Sequence, residues 1–313
     1  MPRITDLQSI LFPIAQEPLY SRRSDSEDPA QDPLREIGGY NAIINRANGD
    51  VLGVVSKAYG LVTNEQAVEL GRRCCRELLS LDATDPLEVF NVDAPPKGTH
   101  CYVDLVHPSY KMNLLDRGAR AEIYVPYVRV TNSYNATRAL RFDVGFCRTL
   151  CSNGVIFEQE TVRFRYAHVS RELQPEAIDF RIRAGQFEQL AERFKGFVRS
   201  LDDAPASEEW SRETLQRVLG LPSDSDVGRE PDVRRATQMA ALVQRAEESL
   251  ARYRAELGPN AYAVFNAMTE LARTVGSAPG MFRDTHSLQR AVGVWVGEWH
   301  RGVGRGVVGR QAA

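Results

Sequence analysis

The spacing of apolar residues changes about halfway along the chain, from every second position to every third or fourth. Between Leu87 and Tyr166 most apolar residues alternate with polar ones, a pattern typical of half-buried strands. The clearest runs are Cys101, Val103 and Leu105; Leu140, Phe142 and Val144; and Val162, Phe164 and Tyr166. Residues 121–130 are apolar on both faces and predict a central strand, although Pro126 within them favours a bulge or an edge.

After Pro175 the apolar residues recur every three to five positions, which indicates an amphipathic helix. The predicted stripe consists of Ile178, Ile182, Phe187, Leu190, Phe194 and Phe197. Further helices are predicted near residues 207–219, 232–256, 260–276 and 286–300. In the last of these, an aromatic stripe predicts core packing or a subunit contact; it consists of Val292, Trp295, Val296 and Trp299.

Before the strand-rich region the sequence predicts two strands followed by a helix. Residues 40–46 and 51–56 are short β-type runs, and the Asn48-Gly49 pair between them suits a tight hairpin turn. Thr63 followed three residues later by Gln66 fits a capping box, so a helix is expected from there to about Leu79.

Few helical patterns separate the predicted strands, which favours an antiparallel over a doubly wound sheet. We therefore predict an α+β fold, in which an antiparallel sheet with a strand–strand–helix opening precedes an all-helical C-terminal half. The predicted organisation is a flexible N-terminal arm and linker (1–36), a β-rich domain (37–173), a helical region (174–301) and a flexible basic tail (302–313). Residues 21–33 support the linker because they carry almost no apolar side chains.

Composition places this chain among ordinary globular proteins of the cytoplasm. No apolar run reaches the roughly 20 residues of a membrane span, and no secretory signal opens the sequence. The five cysteines have no regular spacing and are expected to be reduced thiols. Cys147 and Cys151 form one pair spaced by three near His168, which is less than a structural zinc site needs, so no metal or cofactor is predicted.

Positive charge is concentrated in one segment of a chain whose net charge is -2. Residues 129–171 hold seven arginines and three acidic residues, a local charge of +4. Alternation would place several guanidinium groups on one sheet face, which could follow a sugar-phosphate backbone with Tyr134 available for stacking. The candidate nucleic-acid-binding residues are Arg129, Arg138, Arg141, Arg148, Arg163 and Arg165. The alternative is a solvated outer face, since 35 of the 39 cationic residues in this chain are arginine.

Several short motifs make the sequence resemble the domain of unknown function 932 family, which occurs on phages, plasmids and bacterial chromosomes. The matching motifs are Val55-Ser56-Lys57-x-Tyr59 with Asn64-Glu65, Asn132-Ser133-Tyr134-Asn135-Ala136, Cys147-Arg148-x-x-Cys151-Ser152-Asn153, His168, and the helix Asn260–Ala272. The family usually has His-Asp-Gly after Asn-Ser, and this chain has Tyr134-Asn135-Ala136 instead. The resemblance implies a setting on mobile elements and a role in DNA metabolism, but no particular activity.

The function predicted from these observations is non-enzymatic nucleic-acid binding associated with mobile elements. The expected partners are single-stranded or duplex DNA and further copies of the chain, with no membrane. The family-motif residues of interest are Asn132, Ser133, Cys151, Ser152, Asn153 and His168. Two alternatives stay open: an enzyme with a polar pocket around Asn132, Asn153 and His168, and an interaction protein that uses its helical half.

Overall fold

Two antiparallel sheets and seven α-helices make up the part of the chain that the computed structural model describes, namely residues 4–22, 33–117, 120–148, 153–156, 163–169, 178–180, 185–275 and 285–300. Most of the helices lie in the C-terminal half, so the predicted α+β class is confirmed. Most of the predicted linker at 21–33 and all of the tail at 302–313 lie outside the described residues. No helix in these ranges is both long and apolar enough to cross a membrane.

The strands are β1 (Ile14–Arg22), β2 (Leu34–Asn45), β3 (Val51–Ser56), β4 (Glu88–Asp93), β5 (His100–Val106), β6 (Met112–Arg117), β7 (Arg120–Ser133), β8 (Leu140–Arg148), β9 (Asn153–Ile156) and β10 (Arg163–Tyr166). The helices are α1 (Asn64–Leu79), α2 (Phe187–Asp202), α3 (Glu208–Leu219), α4 (Asp224–Arg229), α5 (Val233–Leu257), α6 (Ala261–Thr274) and α7 (Thr285–His300). A short 3-10 turn at Gln8–Ile10 precedes them.

The first sheet has the order β1-β2-β3, and its β2–β3 hairpin confirms the predicted pair of strands. Gly49 adopts a φ of 78° in the turn, a conformation that glycine tolerates without steric cost. β1 was not predicted from the sequence. The inner face of the sheet packs Ile43, Leu52 and Val55 into a buried cluster with Tyr59 and Tyr134.

The second sheet has the order β10-β8-β7-β5-β4, with β6 also paired to β7 and β9 to β8. β7 is therefore a central strand, as predicted. Pro126 lies where β7 changes partner, because β6 pairs with it up to Tyr124 and β5 pairs with it from Tyr127 onward. Proline has no N–H to donate, and at this junction it lies outside both registers.

The chain divides into two compact units, each assembled from three segments. Unit 1 comprises Met1–Pro108, Tyr127–Asp143 and Arg163–Gly185, and unit 2 comprises Ser109–Pro126, Val144–Val162 and Gln186–Ala313. Unit 1 contains the first sheet and α1, and unit 2 contains α2 to α7.

Three of the predicted helices of unit 2 begin at side-chain caps. Ser207, Asp232 and Asn260 each accept a hydrogen bond from the backbone N–H three residues later, which satisfies one free amide of the first turn. The predicted helices near 207–219, 232–256, 260–276 and 286–300 are confirmed as α3, α5, α6 and α7. The aromatic stripe of α7 is buried, with Trp295 and Trp299 among the largest buried side chains, so it packs in the core.

One predicted helix starts too early. The apolar stripe predicts a helix from Ile178, but helix α2 begins at Phe187. Ile178 and Phe180 lie in irregular backbone, and Ile182 is outside the described residues. Phe180 packs edge-on against Phe142 and Phe164, with ring centroids 5.2 and 4.9 Å apart. Its apolar side chain is thus buried against strands, without a helix.

Helix α1 is seated closely on the second sheet. Its predicted capping box is present, since Thr63 Oγ1 accepts from the Gln66 N–H at 3.0 Å and Gln66 Oε1 accepts from the Thr63 N–H at 2.9 Å. Gly71 faces the sheet, and a Cβ placed there would be 2.2 Å from Val130 Cγ2 and 3.0 Å from Leu105 Cδ1. Only glycine allows this helix to approach β7 so closely.

We predict that Gly71→Ala lowers the free energy of unfolding by about 1–3 kcal/mol, because the added methyl group overpacks the helix–sheet contact. The matched control is Gly196→Ala in α2, where nothing lies within 4 Å of the new Cβ. That substitution should raise stability by up to about 1 kcal/mol through helix propensity. Urea denaturation of both variants measures the difference, and equal effects would contradict the close seating of α1.

Candidate functional site

Family-motif residues that are far apart in the sequence converge inside unit 1. Tyr59 follows β3, Asn64 opens α1, Asn132 and Ser133 end β7, and His168 follows β10. All five are buried. They form a connected set of hydrogen bonds and ring contacts, which we call the motif cluster.

Asn64 is the centre of the motif cluster. Its Nδ2 donates to the Ile10 carbonyl at 2.9 Å, and its Oδ1 accepts from Asn132 Nδ2 at 2.9 Å and from the Cys101 thiol at 3.3 Å. Its backbone N–H donates to the Tyr134 hydroxyl at 2.8 Å. One amide thereby joins the N-terminal turn, α1, β5 and β7.

The side chain of Asn132 is bonded through its NH2 group only. Its Nδ2 donates to Asn64 and to the Val62 carbonyl, the latter at 3.0 Å. Its Oδ1 is buried and has no hydrogen-bond partner among the described residues, and the same holds for the Thr131 hydroxyl. A buried acceptor without a donor costs about 1–3 kcal/mol, so the cluster as it stands is not fully satisfied.

His168 and Tyr59 are stacked, with ring centroids 4.8 Å apart and planes inclined by 17°. His168 Nδ1 lies 3.0 Å from the Gly60 carbonyl and donates to it, so the proton of the neutral ring is on Nδ1. Burial lowers the pKa of His168, although the hydrogen bond to Gly60 opposes the shift. Burial also raises the pKa of Tyr59 to about 12, and its hydroxyl donates to the Ser133 carbonyl at 2.5 Å.

The side chains of Tyr59 and His168 are therefore uncharged near pH 7 and interact with their neighbours through hydrogen bonds and ring stacking. His168 Nε2 is a buried acceptor with no partner among the described residues. Burial raises the pKa of the Cys101 thiol to about 12, so that thiol is not a nucleophile at neutral pH. Within the described ranges, no group of three or more potential ligand side chains is arranged to hold a metal ion.

The turn after Asn132-Ser133 departs from the family pattern, and its geometry shows what the departure does. Tyr134 is buried and its hydroxyl is engaged by Asn64, so this ring is not available for stacking on a base and that expectation was wrong. Asn135 Oδ1 accepts from the Thr137 N–H at 3.2 Å and hydroxyl at 2.6 Å. Ala136 has a φ of 56°, in the left-handed region where the family pattern has glycine.

Two of the six candidate arginines are buried in ion pairs. In unit 1, Arg129 Nε and Nη2 donate to the two oxygens of Asp104 at 2.5 and 2.6 Å. In unit 2, Arg148 makes a bidentate pair with Glu122 at 2.6 and 2.8 Å and a further bond to Glu256 at 2.8 Å. Both side chains are at most 3% exposed, so neither presents its charge to a surface ligand.

The other four candidate arginines are exposed or half-buried in unit 1, and three of them, Arg141, Arg163 and Arg165, lie in the paired stretch of β8 and β10. Arg163 Nε lies 2.6 Å from Asp143 Oδ1, and Arg141 Nε lies 3.7 Å from Asp143 Oδ2. Arg165 is exposed and lies directly opposite Arg141 in the strand register. Arg138 is exposed in the turn before β8, and its Nε donates to the Tyr102 hydroxyl at 3.2 Å.

The remaining candidate residues belong to the segment that follows β8. Cys151 and Ser152 lie outside the described residues, so the Cys-Ser-Asn motif and a Cys151–His168 pair are not described. Asn153 begins β9 and pairs with Arg148 in the register. Cys147 is a buried thiol, as predicted from its apolar neighbours.

Sequence reasoning missed the carboxylate partners of these arginines. Asp104 is the only acidic residue in β5 and Glu122 the only one in the part of β7 that pairs with β6. A single charge inside an otherwise apolar strand is a signal for a buried ion pair, because an isolated buried charge is too costly. The sequence therefore indicates that Asp104 and Glu122 form buried ion pairs, but it does not identify the arginine that pairs with each.

We predict that the protein becomes less stable as the pH is lowered, and that His168 contributes to this loss. Its folded-state pKa is lowered from 6.5, so the folded protein takes up this proton less readily than the unfolded chain. The contribution is therefore complete above the unfolded value and is lost as the pH falls below it. His168→Gln should flatten the decrease in unfolding free energy between about pH 7 and pH 5. The control is His107→Gln, and an unchanged slope in H168Q would contradict the assignment.

We also predict that Ala136→Gly raises the free energy of unfolding by about 1 kcal/mol, because glycine adopts a positive φ without the Cβ penalty. Ala241→Gly, at an exposed position inside α5, should instead lower it by about 1 kcal/mol. Urea denaturation distinguishes the two, and destabilisation by both substitutions would contradict the left-handed turn.

The comparison with protein families covers the part of the chain that contains the motif cluster. No significant match to this chain is found among curated proteins or among solved structures. The family model described as "Domain of unknown function (DUF932)" matches residues 51–295, a range that contains Tyr59, Asn64, Asn132, Ser133 and His168. The chain therefore belongs to the domain of unknown function 932 family.

Proposed function

We propose that this protein binds nucleic acid without catalysis, by contacting phosphates with the arginines of the paired strands β8 and β10 and with Arg138 in the turn before β8. The observation that carries the proposal is the register of these strands, in which Arg165 lies directly opposite Arg141. Like charges opposite each other in adjacent strands destabilise a sheet, so the pair has a cost that an anionic ligand would remove.

The charge balance at this edge points the same way. The paired stretch of β8 and β10 contains three arginines, Arg141, Arg163 and Arg165, and one acidic residue, Asp143, which contacts Arg141 and Arg163. The formal charge of the paired residues is therefore +2, while the whole chain carries -2. Guanidinium groups suit phosphate oxygens because they donate two parallel hydrogen bonds.

The motif cluster supports a role without chemistry. Asn64 uses its amide in hydrogen bonds within the protein, and Tyr59 donates to a backbone carbonyl. The Cys101 thiol is protonated at neutral pH, because burial raises its pKa to about 12. These groups hold the ends of β7 and α1 together, which is a structural task. The mobile-element setting implied by the family resemblance is part of the same proposal.

The proposal concerns the sugar-phosphate backbone and leaves single-stranded and duplex DNA as two arms of one experiment. We expect the full chain to bind both at low salt and to weaken as salt is added. The logarithm of the binding constant should fall linearly with the logarithm of salt, with a slope of about -0.7 per contacted phosphate for single strands and about -0.9 for duplex.

The decisive variants are Arg165→Gln and Arg138→Gln, because both side chains are exposed. Each should reduce the salt slope by about one phosphate contact and weaken binding about equally for different sequences. Arg141 and Arg163 are poorer choices for substitution, because removing either guanidinium would leave the buried carboxylate of Asp143 with less compensating positive charge. The matched control is Arg245→Gln, an exposed arginine on α5. Absence of binding at low salt, or binding that R165Q and R138Q leave unchanged relative to R245Q, would overturn the proposal.

A further inference from the structure

The three-stranded sheet of unit 1 exposes most of the large apolar side chains found on the described surface. Ten large hydrophobic residues in the described ranges are exposed, and six of them lie in this sheet. They are Tyr20, Leu34, Ile37, Tyr40, Val51 and Val54, with exposed fractions of 39–60%. Single exposed hydrophobic residues are ordinary, but a group of six in one small sheet is not.

The strand register places the centre of this group on one face. Ala42 is opposite Val54, Ile44 is opposite Val51, and Tyr40 follows two residues before Ala42 on the same strand. Cross-strand partners point to the same side of a sheet, and so do alternate residues of one strand. We call the side that carries Tyr40, Val51 and Val54 the outer face. The neighbouring residues Ile43 and Val55 point the other way, into the buried cluster.

Beyond the outer face, β1 and β2 continue as a two-stranded ribbon. All seven residues from Leu34 to Tyr40 are exposed, and the register pairs Leu34, Arg35 and Glu36 with residues 22, 21 and 20 of β1. A two-stranded ribbon is at best marginally stable by itself in water. An exposed ribbon that also displays Leu34 and Ile37 is the form expected of a segment that packs against a partner.

We infer that a second copy of this chain covers the outer face, and that the two sheets pack face to face about a two-fold axis. Such an interface is self-complementary, so the apolar patch of one copy buries that of the other. The exposed side chains of Tyr40, Val51 and Val54 form the apolar centre of this interface, and the ribbon beyond them supplies further area toward the approximately 800 Å² per partner of a standard interface.

Charge favours a second copy over nucleic acid at this surface. The three strands contain two arginines, Arg22 and Arg35, and two glutamates, Glu17 and Glu36. Their net charge is zero, so two copies do not repel each other and phosphates are not attracted. The stretch from residue 23 to residue 33, which joins β1 to β2, contains no large apolar side chain, so its composition does not suit it to cover the patch from within the chain.

The edge strand of the first sheet also favours face-to-face packing over edge-to-edge pairing. β1 is an edge strand and contains Pro18, followed by a register shift between Pro18 and Tyr20. Proline and bulges at an edge strand oppose pairing with another strand. The association we infer therefore uses side chains of the outer face and not edge-to-edge hydrogen bonds.

The test is the mass of the full-length chain in solution, measured by sedimentation equilibrium over a concentration series up to about 100 µM. The wild type should form dimers, and Val54→Glu should shift the protein to monomers because it places two carboxylates in the apolar contact. The control is Val233→Glu on α5, which alters a residue that is 80% exposed but not part of this sheet and should leave the dimer intact. Circular dichroism confirms that each variant is folded.

A second measurement keeps the inference testable if V54E does not fold. In a Cys151→Ser background the remaining cysteines, Cys74, Cys75, Cys101 and Cys147, are buried. A short bis-maleimide should then link Tyr40→Cys into dimers and leave Val233→Cys as monomers. A monomeric wild type at the highest concentration, or equal cross-linking of both variants, would overturn the inference. The outcome is independent of nucleic-acid binding, because none of the arginines tested above lies in this sheet.

Discussion

The hydrogen bonds of Asn64 are the constraint on which unit 1 depends. Its amide and backbone connect the N-terminal turn, the start of α1, β5 and the end of β7 at one buried point. An asparagine can do this because its side chain both donates and accepts, whereas an aspartate would offer only acceptors. The Gly71 contact of α1 with Val130 requires the same placement, since the helix start and the strand end are fixed together.

Each of the two units compensates its buried arginine with carboxylates of the same unit. Asp104 forms an ion pair with Arg129 within unit 1, and Glu122 forms an ion pair with Arg148 within unit 2. Each pair removes a positive charge from the surface that a count along the sequence would assign to it. The segment with a local charge of +4 is consequently basic over a smaller area, at the β8–β10 edge, than its composition suggested. The first sheet differs from that edge in charge, because the two arginines and two glutamates of its strands sum to zero.

Local rules explain why much of the fold was predictable. The Asn48-Gly49 turn, the Thr63–Gln66 capping box and the caps at Ser207, Asp232 and Asn260 depend on residues at most a few positions apart. The helix start predicted at Ile178 was wrong, because apolar residues that recur every three to five positions also occur in an irregular segment packed against a sheet. The residues of that segment do not show whether it is helical or irregular, because its conformation depends on the packing of Phe180 against Phe142 and Phe164.

The sequence by itself determined the α+β class, most helix starts, the central position of β7 and the family to which the chain belongs. Only the tertiary structure decided which arginines carry charge at the surface and which polar residues share a site. Arg129 and Asp104 are separated by 25 residues and Arg148 and Glu256 by 108, so no local pattern can pair them. The availability of a charge depends on what packs around it, and strand register and helix placement bring those neighbours together from distant parts of the chain.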